Sequence, residues 1–212
     1  NRSLGAKFIE KHKDKFNVII MDDGLQNYQL KQDVKFLLVD KNLKLGNGYC
    51  LPAGPLRQSV KHGLINIDKI VLTGESDKNE KDLFEFYDIP VIKSNIRITS
   101  LLKIKKEKLL AFCGLANPKK FFDTLKKNGY EISSTRKFPD HYAYKKDDIN
   151  DLILDANNQN LKLITTEKDY VKISENKDLI HFLPIELELC TKDKLNFELF
   201  LQEKLNAWSI KF

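Results

Sequence analysis

Carboxylates that follow a buried apolar run are candidates for holding a metal-bound phosphate. Val18-Ile19-Ile20-Met21 is such a run, and Asp22-Asp23-Gly24-Leu25-Gln26 follows it directly. A buried strand ending in acidic residues places them at the C-terminal edge of a parallel sheet, where ligands bind in open α/β folds. An aspartate there can hold Mg2+, directly or through water. A plain turn with a solvated Asp pair has the same sequence, so the motif alone leaves both readings open.

Three further segments carry chemistry-bearing residues. Gly46-Asn47-Gly48-Tyr49-Cys50-Leu51-Pro52-Ala53-Gly54-Pro55-Leu56-Arg57-Gln58 is dense in glycine and proline. Such a loop is ordered and can bring backbone N–H groups near an anion. Arg57 at its end offers a planar fork of donors suited to phosphate, or else is a surface arginine after a rigid turn. In Phe138-Pro139-Asp140-His141-Tyr142-Ala143-Tyr144 an Asp-His pair follows a predicted strand and precedes a helix. A histidine oriented by a second group can act as a general base, although a lone histidine is more often structural. His12, His62 and His181 have no comparable setting and are expected on the surface. Lys168, in Thr165-Thr166-Glu167-Lys168-Asp169, could approach a phosphate, while strand, cap and helix explain the rest of that segment.

The elements that must position these residues are short apolar runs alternating with helical patterns, which argues for a parallel α/β architecture. The expected strands are Val18–Met21, Val34–Val39, Lys69–Leu72, Leu109–Cys113, Leu161–Thr165 and Ile180–Ile185. Most are continuously apolar, as strands buried on both faces are. A helix is predicted after Asn117, with Pro118 at its first position, Phe121, Phe122 and Leu125 facing inward, and Gly129 past its end. A second covers about Lys146–Asn158, and a third opens at Thr166, where Asp169 completes a capping-box pattern. The last segment, Lys192–Trp208, sets Leu195, Leu199 and Leu205 at helical spacing, as a packing helix would. Ile92–Lys108 reads as an extended connector, alternating through Ile98 and then charged, with a domain boundary near residue 105.

Composition narrows the partners. Thirty-six basic against 30 acidic residues leave a net charge of +6, which favours anionic partners such as phosphates or acidic lipid surfaces. Much of the excess is lysine on expected helix faces, and no basic run is interleaved with aromatics as a base-stacking platform would be, so nucleic acid is not an expected partner. Cys50, Cys113 and Cys190 are odd in number and far apart, which suggests neither zinc nor a disulfide framework and fits reduced thiols. No apolar stretch is long enough for a transmembrane helix. The first residue is Asn1, and the one methionine, Met21, lies inside an expected strand, so the natural start is expected upstream.

In order, Asp22-Asp23-Gly24-Leu25-Gln26, Gly46-Asn47-Gly48 with Leu51-Pro52-Ala53-Gly54-Pro55-Leu56-Arg57, Ala111-Phe112-Cys113-Gly114-Leu115-Ala116-Asn117-Pro118, Phe138-Pro139-Asp140-His141 and Thr165-Thr166-Glu167-Lys168-Asp169 resemble the tetraacyldisaccharide 4′-kinase family. The resemblance covers about residues 15–175 and continues weakly to the end. It implies an α/β fold: a P-loop kinase-type parallel-sheet core, here without its phosphate loop, and a second, smaller α/β domain. The implied divisions are core residues 1–91, a connector over 92–108, the smaller domain over 109–190 and a C-terminal helix over 191–212. The family transfers the γ-phosphate of ATP to the 4′-hydroxyl of a tetraacyldisaccharide 1-phosphate, at the cytoplasmic face of the bacterial inner membrane.

Carried onto this chain, the resemblance implies that Asp22 and Asp23 organise Mg2+ with help from Gln26, and that Arg57 binds phosphate oxygens as charge develops. His141 becomes part of the base that activates the sugar hydroxyl, oriented by an aspartate outside these residues and delivered by domain closure. Lys168 joins the nucleotide-binding groups. ATP, Mg2+, the lipid-linked disaccharide and a membrane surface, reached through an N-terminal region outside these residues, are the implied cofactors and partners. Leu25, Asn27 and Gln58 stand where the family usually has phenylalanine, histidine and an acidic residue, so Gln58 is given no metal role. No Gly-x-x-x-x-Gly-Lys-Ser/Thr occurs, so these 212 residues are expected to be inactive alone. Two rivals keep the same residues: a metal-dependent sugar-nucleotide transferase, and a non-catalytic module that binds anions or lipid.

Overall fold

A computed structural model of the chain describes residues 1–12, 14–74, 84, 87–100 and 103–209. Residues 101 and 102 of the expected connector, and parts of the 1–91 and 191–212 segments, fall outside these. The chain forms two compact units, Asn1–Asn95 with Leu187–Phe212, and Ile96–Glu186.

The first unit opens with α1 (Arg2–Glu10), capped by the Asn1 side chain. Strands β1 (Phe36–Asp40), β2 (Lys69–Thr73) and β3 (Val91–Ile98) pair in parallel, and α2 (Val60–Gly63) precedes β2. A fourth strand, β8 (Ile185–Leu189), borders β3. The β8 strand runs antiparallel to β3, because Thr99 N bonds to Pro184 O while Cys190 N bonds to Lys93 O. The alternating residues expected as an extended connector are thus β3, and the chain passes between units within β3 and again within β8. Ile70, Val39, Leu64 and Phe84 are buried at the centre of this unit.

Val18–Met21 is not a strand, which corrects the sequence expectation. Val18, Ile19 and Ile20 are exposed, Ile20 by 91%. A continuous apolar run is buried as a strand only where it joins a sheet covered on both faces, and no described strand pairs with it. The C-terminal helix, α6 (Thr191–Ser209), departs from its expected packing face. Leu195, Leu199 and Leu205 are exposed, whereas Phe197 and Phe200 pack on Phe36 of β1. Lys69 and Lys204 lie over the Phe200 ring, so aromatic area and cation–π contact replace the leucines as the seam.

The second unit is an all-parallel sheet in the order β5-β4-β6-β7, from β4 (Lys108–Cys113), β5 (Glu131–Lys137), β6 (Lys162–Thr166) and β7 (Ile180–Leu183). Every residue of β4 after Lys108 is buried, as its unbroken apolar run requires. Helix α3 (Pro118–Lys127) turns Phe121, Phe122 and Leu125 into one core cluster with Leu109, Ala111 and Cys113. Helix α4 (Lys146–Asn158) adds Ile149, Leu152 and Ala156 to the other, against Leu110 and Phe112. Alternate residues of β4 therefore serve opposite cores, and the sheet is covered on both faces. The short helix α5 (Glu167–Tyr170) follows β6 with Thr166 as its cap.

Candidate functional site

In the first unit two of the predicted residues, Asp23 and Gln26, meet at the guanidinium of a third, Arg57. Arg57 Nη1 donates to both carboxylate oxygens of Asp23, at 3.0 and 2.8 Å, and to Gln26 Oε1 at 3.3 Å. Asp23 takes a left-handed backbone conformation, with φ 49°. The Arg2 guanidinium donates to the carbonyls of Asp22 and Asp23 at 2.9 and 3.2 Å, which ties the turn to α1. Met21 through Gln26 is thus a fastened turn and not the end of a paired strand.

Arg57 owes its position to the glycine- and proline-rich loop. Asn47 accepts from Tyr49 N and donates to Ala53 O, and Cys50 bridges Leu56. A Cβ on Gly54 would sit 2.1 Å from Asn47 Oδ1, so only glycine lets the loop close on itself. Gln58 accepts from the Tyr28 hydroxyl at 3.2 Å, a contact that joins the loop to the segment after Gln26. More than half of each side chain in the Arg57–Asp23 pair is exposed. Such a pair is worth about 0–1 kcal/mol. It holds the guanidinium in place but can open to an anionic ligand.

In the second unit His141 sits on a turn between β5 and α4, also left-handed at φ 58°. Asp140 Oδ1 accepts from His141 N at 3.0 Å, and Asp140 Oδ2 lies 3.9 Å from His141 Nε2. Lys168 Nζ lies 3.7 Å from Asp140 Oδ1, so Asp140 faces both predicted residues of this unit. The His141 side chain is 75% exposed, open to a ligand.

Sequence reasoning missed what fixes this turn. Phe138, Tyr142 and Tyr144 pack on one another, and Phe138 and Tyr144 pack edge-on against Phe112 of β4. Asp148 of α4 accepts from Lys145 N and from the Tyr142 hydroxyl, and that hydrogen bond raises the Tyr142 pKa. The Tyr144 hydroxyl is pushed well above its ordinary range by burial and by the Asp169 carboxylate, and has no hydrogen-bond partner among the described residues. Burial, with Asp169 again second, pushes the Cys113 thiol up to about 11, so at neutral pH it is an inert core group. The aromatic residues at 138, 142 and 144 were the available clue.

Among the described residues no three His, Cys, Asp or Glu side chains are arranged to hold a metal by themselves. Mg2+ does not require that. It keeps several waters and takes one or two carboxylates plus phosphate oxygens; the exposed Asp23 carboxylate, now on Arg57, and its sequence neighbour Asp22 are donors of that kind.

Fold and site together define an α/β protein of mainly parallel sheets, with an arginine–carboxylate group in one unit and an acid–histidine–lysine group in the other. By family the assignment is narrower: the chain belongs to the tetraacyldisaccharide-1-P 4′-kinase family, whose model matches residues 1–206. It is 36% identical over 192 residues to a tetraacyldisaccharide 4′-kinase of Rickettsia bellii, covering 91% of this chain and 60% of that protein. A relative from Chelativorans sp. is 38% identical over 76% of this chain and 47% of its own length. The chain thus spans about half to three-fifths of the length of these relatives. Its fold is similar to that of LpxK from Aquifex aeolicus, solved in complex with ATP, with a TM-score of 0.58 at 23% identity over 84% of this chain and 55% of that one.

Proposed function

We propose that this chain serves an ATP-dependent kinase that phosphorylates the 4′-hydroxyl of tetraacyldisaccharide 1-phosphate, a step of lipid A biosynthesis. The observation that carries the reading is the family match over residues 1–206, which takes in both groups described above. ATP as donor is supported by the fold's likeness to an LpxK solved in complex with ATP.

Phosphoryl transfer needs positioning and charge stabilisation more than covalent help from the protein. Arg57 is suited to both, since its bonds here use Nη1 and an exposed guanidinium can turn its planar fork to phosphate oxygens. Asp22 and Asp23 would hold Mg2+, which when bound neutralises phosphate charge, and Gln26 would steady that group. His141 would accept the proton of the sugar hydroxyl, with the Asp140 carboxylate 3.9 Å from its Nε2. Lys168 would donate to phosphate oxygen. The acceptor is a lipid, so the reaction would take place at a membrane surface, which the family resemblance implies is the cytoplasmic face of the bacterial inner membrane. No described helix is long and apolar enough to cross a membrane.

Protein expressed from the complete reading frame is given Mg2+, γ-labelled ATP and tetraacyldisaccharide 1-phosphate. A labelled 4′-phosphate product is expected. Folded protein that transfers nothing from ATP, or moves a glycosyl group from a sugar nucleotide instead, contradicts the reading.

A further inference from the structure

Asp169 is fully buried, and both of its carboxylate oxygens are used. Oδ2 accepts from Gly114 N and from the Thr166 hydroxyl, each at 2.9 Å, and Oδ1 accepts from Lys172 Nζ at 2.9 Å. Thr166 Oγ1 in turn accepts from Asp169 N at 3.1 Å, which closes the cap of α5. One carboxylate therefore fastens two elements that flank the His141 turn. The first is the chain leaving β4: Gly114 packs so tightly on the turn that an added Cβ would meet Pro139 O at 3.0 Å, and Tyr142 Cβ and Tyr144 Oη at 3.3 Å. The second is α5, which carries Lys168 to within 3.7 Å of Asp140.

We propose that Asp169 is a positioning residue for the His141 turn, acting through Gly114 on one side and through Lys168 and Asp140 on the other. The role rests on the kinase reading, because His141 matters to turnover only if that reading holds. The buried carboxylate sets where the imidazole stands and does not itself touch the reactants. An amide at this position has one acceptor oxygen, so it cannot keep both the Gly114–Thr166 side and the Lys172 side satisfied. An alanine at position 114 pushes the turn directly and leaves the carboxylate intact.

The test compares Asp169→Asn and Gly114→Ala with Leu125→Ala, which opens a cavity in α3 within the same unit, all in protein expressed from the complete reading frame. Turnover, the KM for ATP and the ring resonances of His141 in 15N-histidine-labelled protein are measured. Asp169→Asn and Gly114→Ala are expected to shift the His141 resonances and lower kcat on the order of tenfold or more, with KM for ATP within about twofold of wild type. Leu125→Ala is expected to lower the melting temperature and leave kcat, the KM for ATP and the His141 resonances in place. If one of the two site variants does not fold, the other decides. Wild-type kcat and resonances in the folded site variants overturn the inference, as does the same loss and shift in Leu125→Ala. Should wild-type protein transfer no phosphate, the kinase reading falls and the resonances alone decide the role of Asp169.

Discussion

At the residue scale, two of the site's side chains share a backbone peculiarity. Asp23 and His141 both lie at positive φ, where a residue with a Cβ is strained by roughly 1 kcal/mol or more. Glycine at such a position escapes the strain. His141→Gly is therefore expected to be more stable to denaturant than His141→Ala by roughly 1 kcal/mol, although both lack the imidazole. Equal stability, or a more stable alanine variant, would show that the turn imposes no strain. The sequence displayed Asp23, Arg57 and His141 as chemistry-bearing residues, but it did not display Arg57 on Asp23 or Lys168 on Asp140. The partners of each pair lie far apart along the chain, and only the fold brings them together. Asp169 was legible as the third residue of a cap, but its burial and its bond to Gly114 were not, because both depend on β4 lying beside β6.

At the element scale, caps that look alike in sequence differ in the structure. Thr166 caps α5 with its side chain and is itself held by Asp169. Asn117 stands at the start of α3 but makes no side-chain cap bond, and Pro118 supplies that end's local preference instead. Thr166→Ala is expected to lower the unfolding free energy by about 1–2 kcal/mol, and Asn117→Ala by less than about 0.5 kcal/mol. Equal losses in urea melts would contradict the assignment of the two caps. Helices α3 and α4 and strands β4 and β6 were legible because their burial patterns are local: an amphipathic stripe or an unbroken apolar run. Val18–Met21 has the same run and remains unpaired, because a strand exists only with neighbours. The face that α6 buries was misread for a related reason. Leucine spacing marks a stripe that could pack, while Phe36 on β1 selects Phe197 and Phe200.

At the scale of the whole molecule, each unit brings one part of the proposed chemistry: a guanidinium and carboxylates in the first, an imidazole with Asp140 and Lys168 in the second. The family match spans both units, so neither group stands apart from the relationship. The most direct measurement is turnover with Mg-ATP and tetraacyldisaccharide 1-phosphate by protein from the complete reading frame, in wild type, Asp23→Ala and His141→Ala. The account predicts that each substitution, one in each unit, lowers kcat on the order of a hundredfold or more while the protein stays folded. Turnover within about threefold of wild type in both folded variants would contradict it.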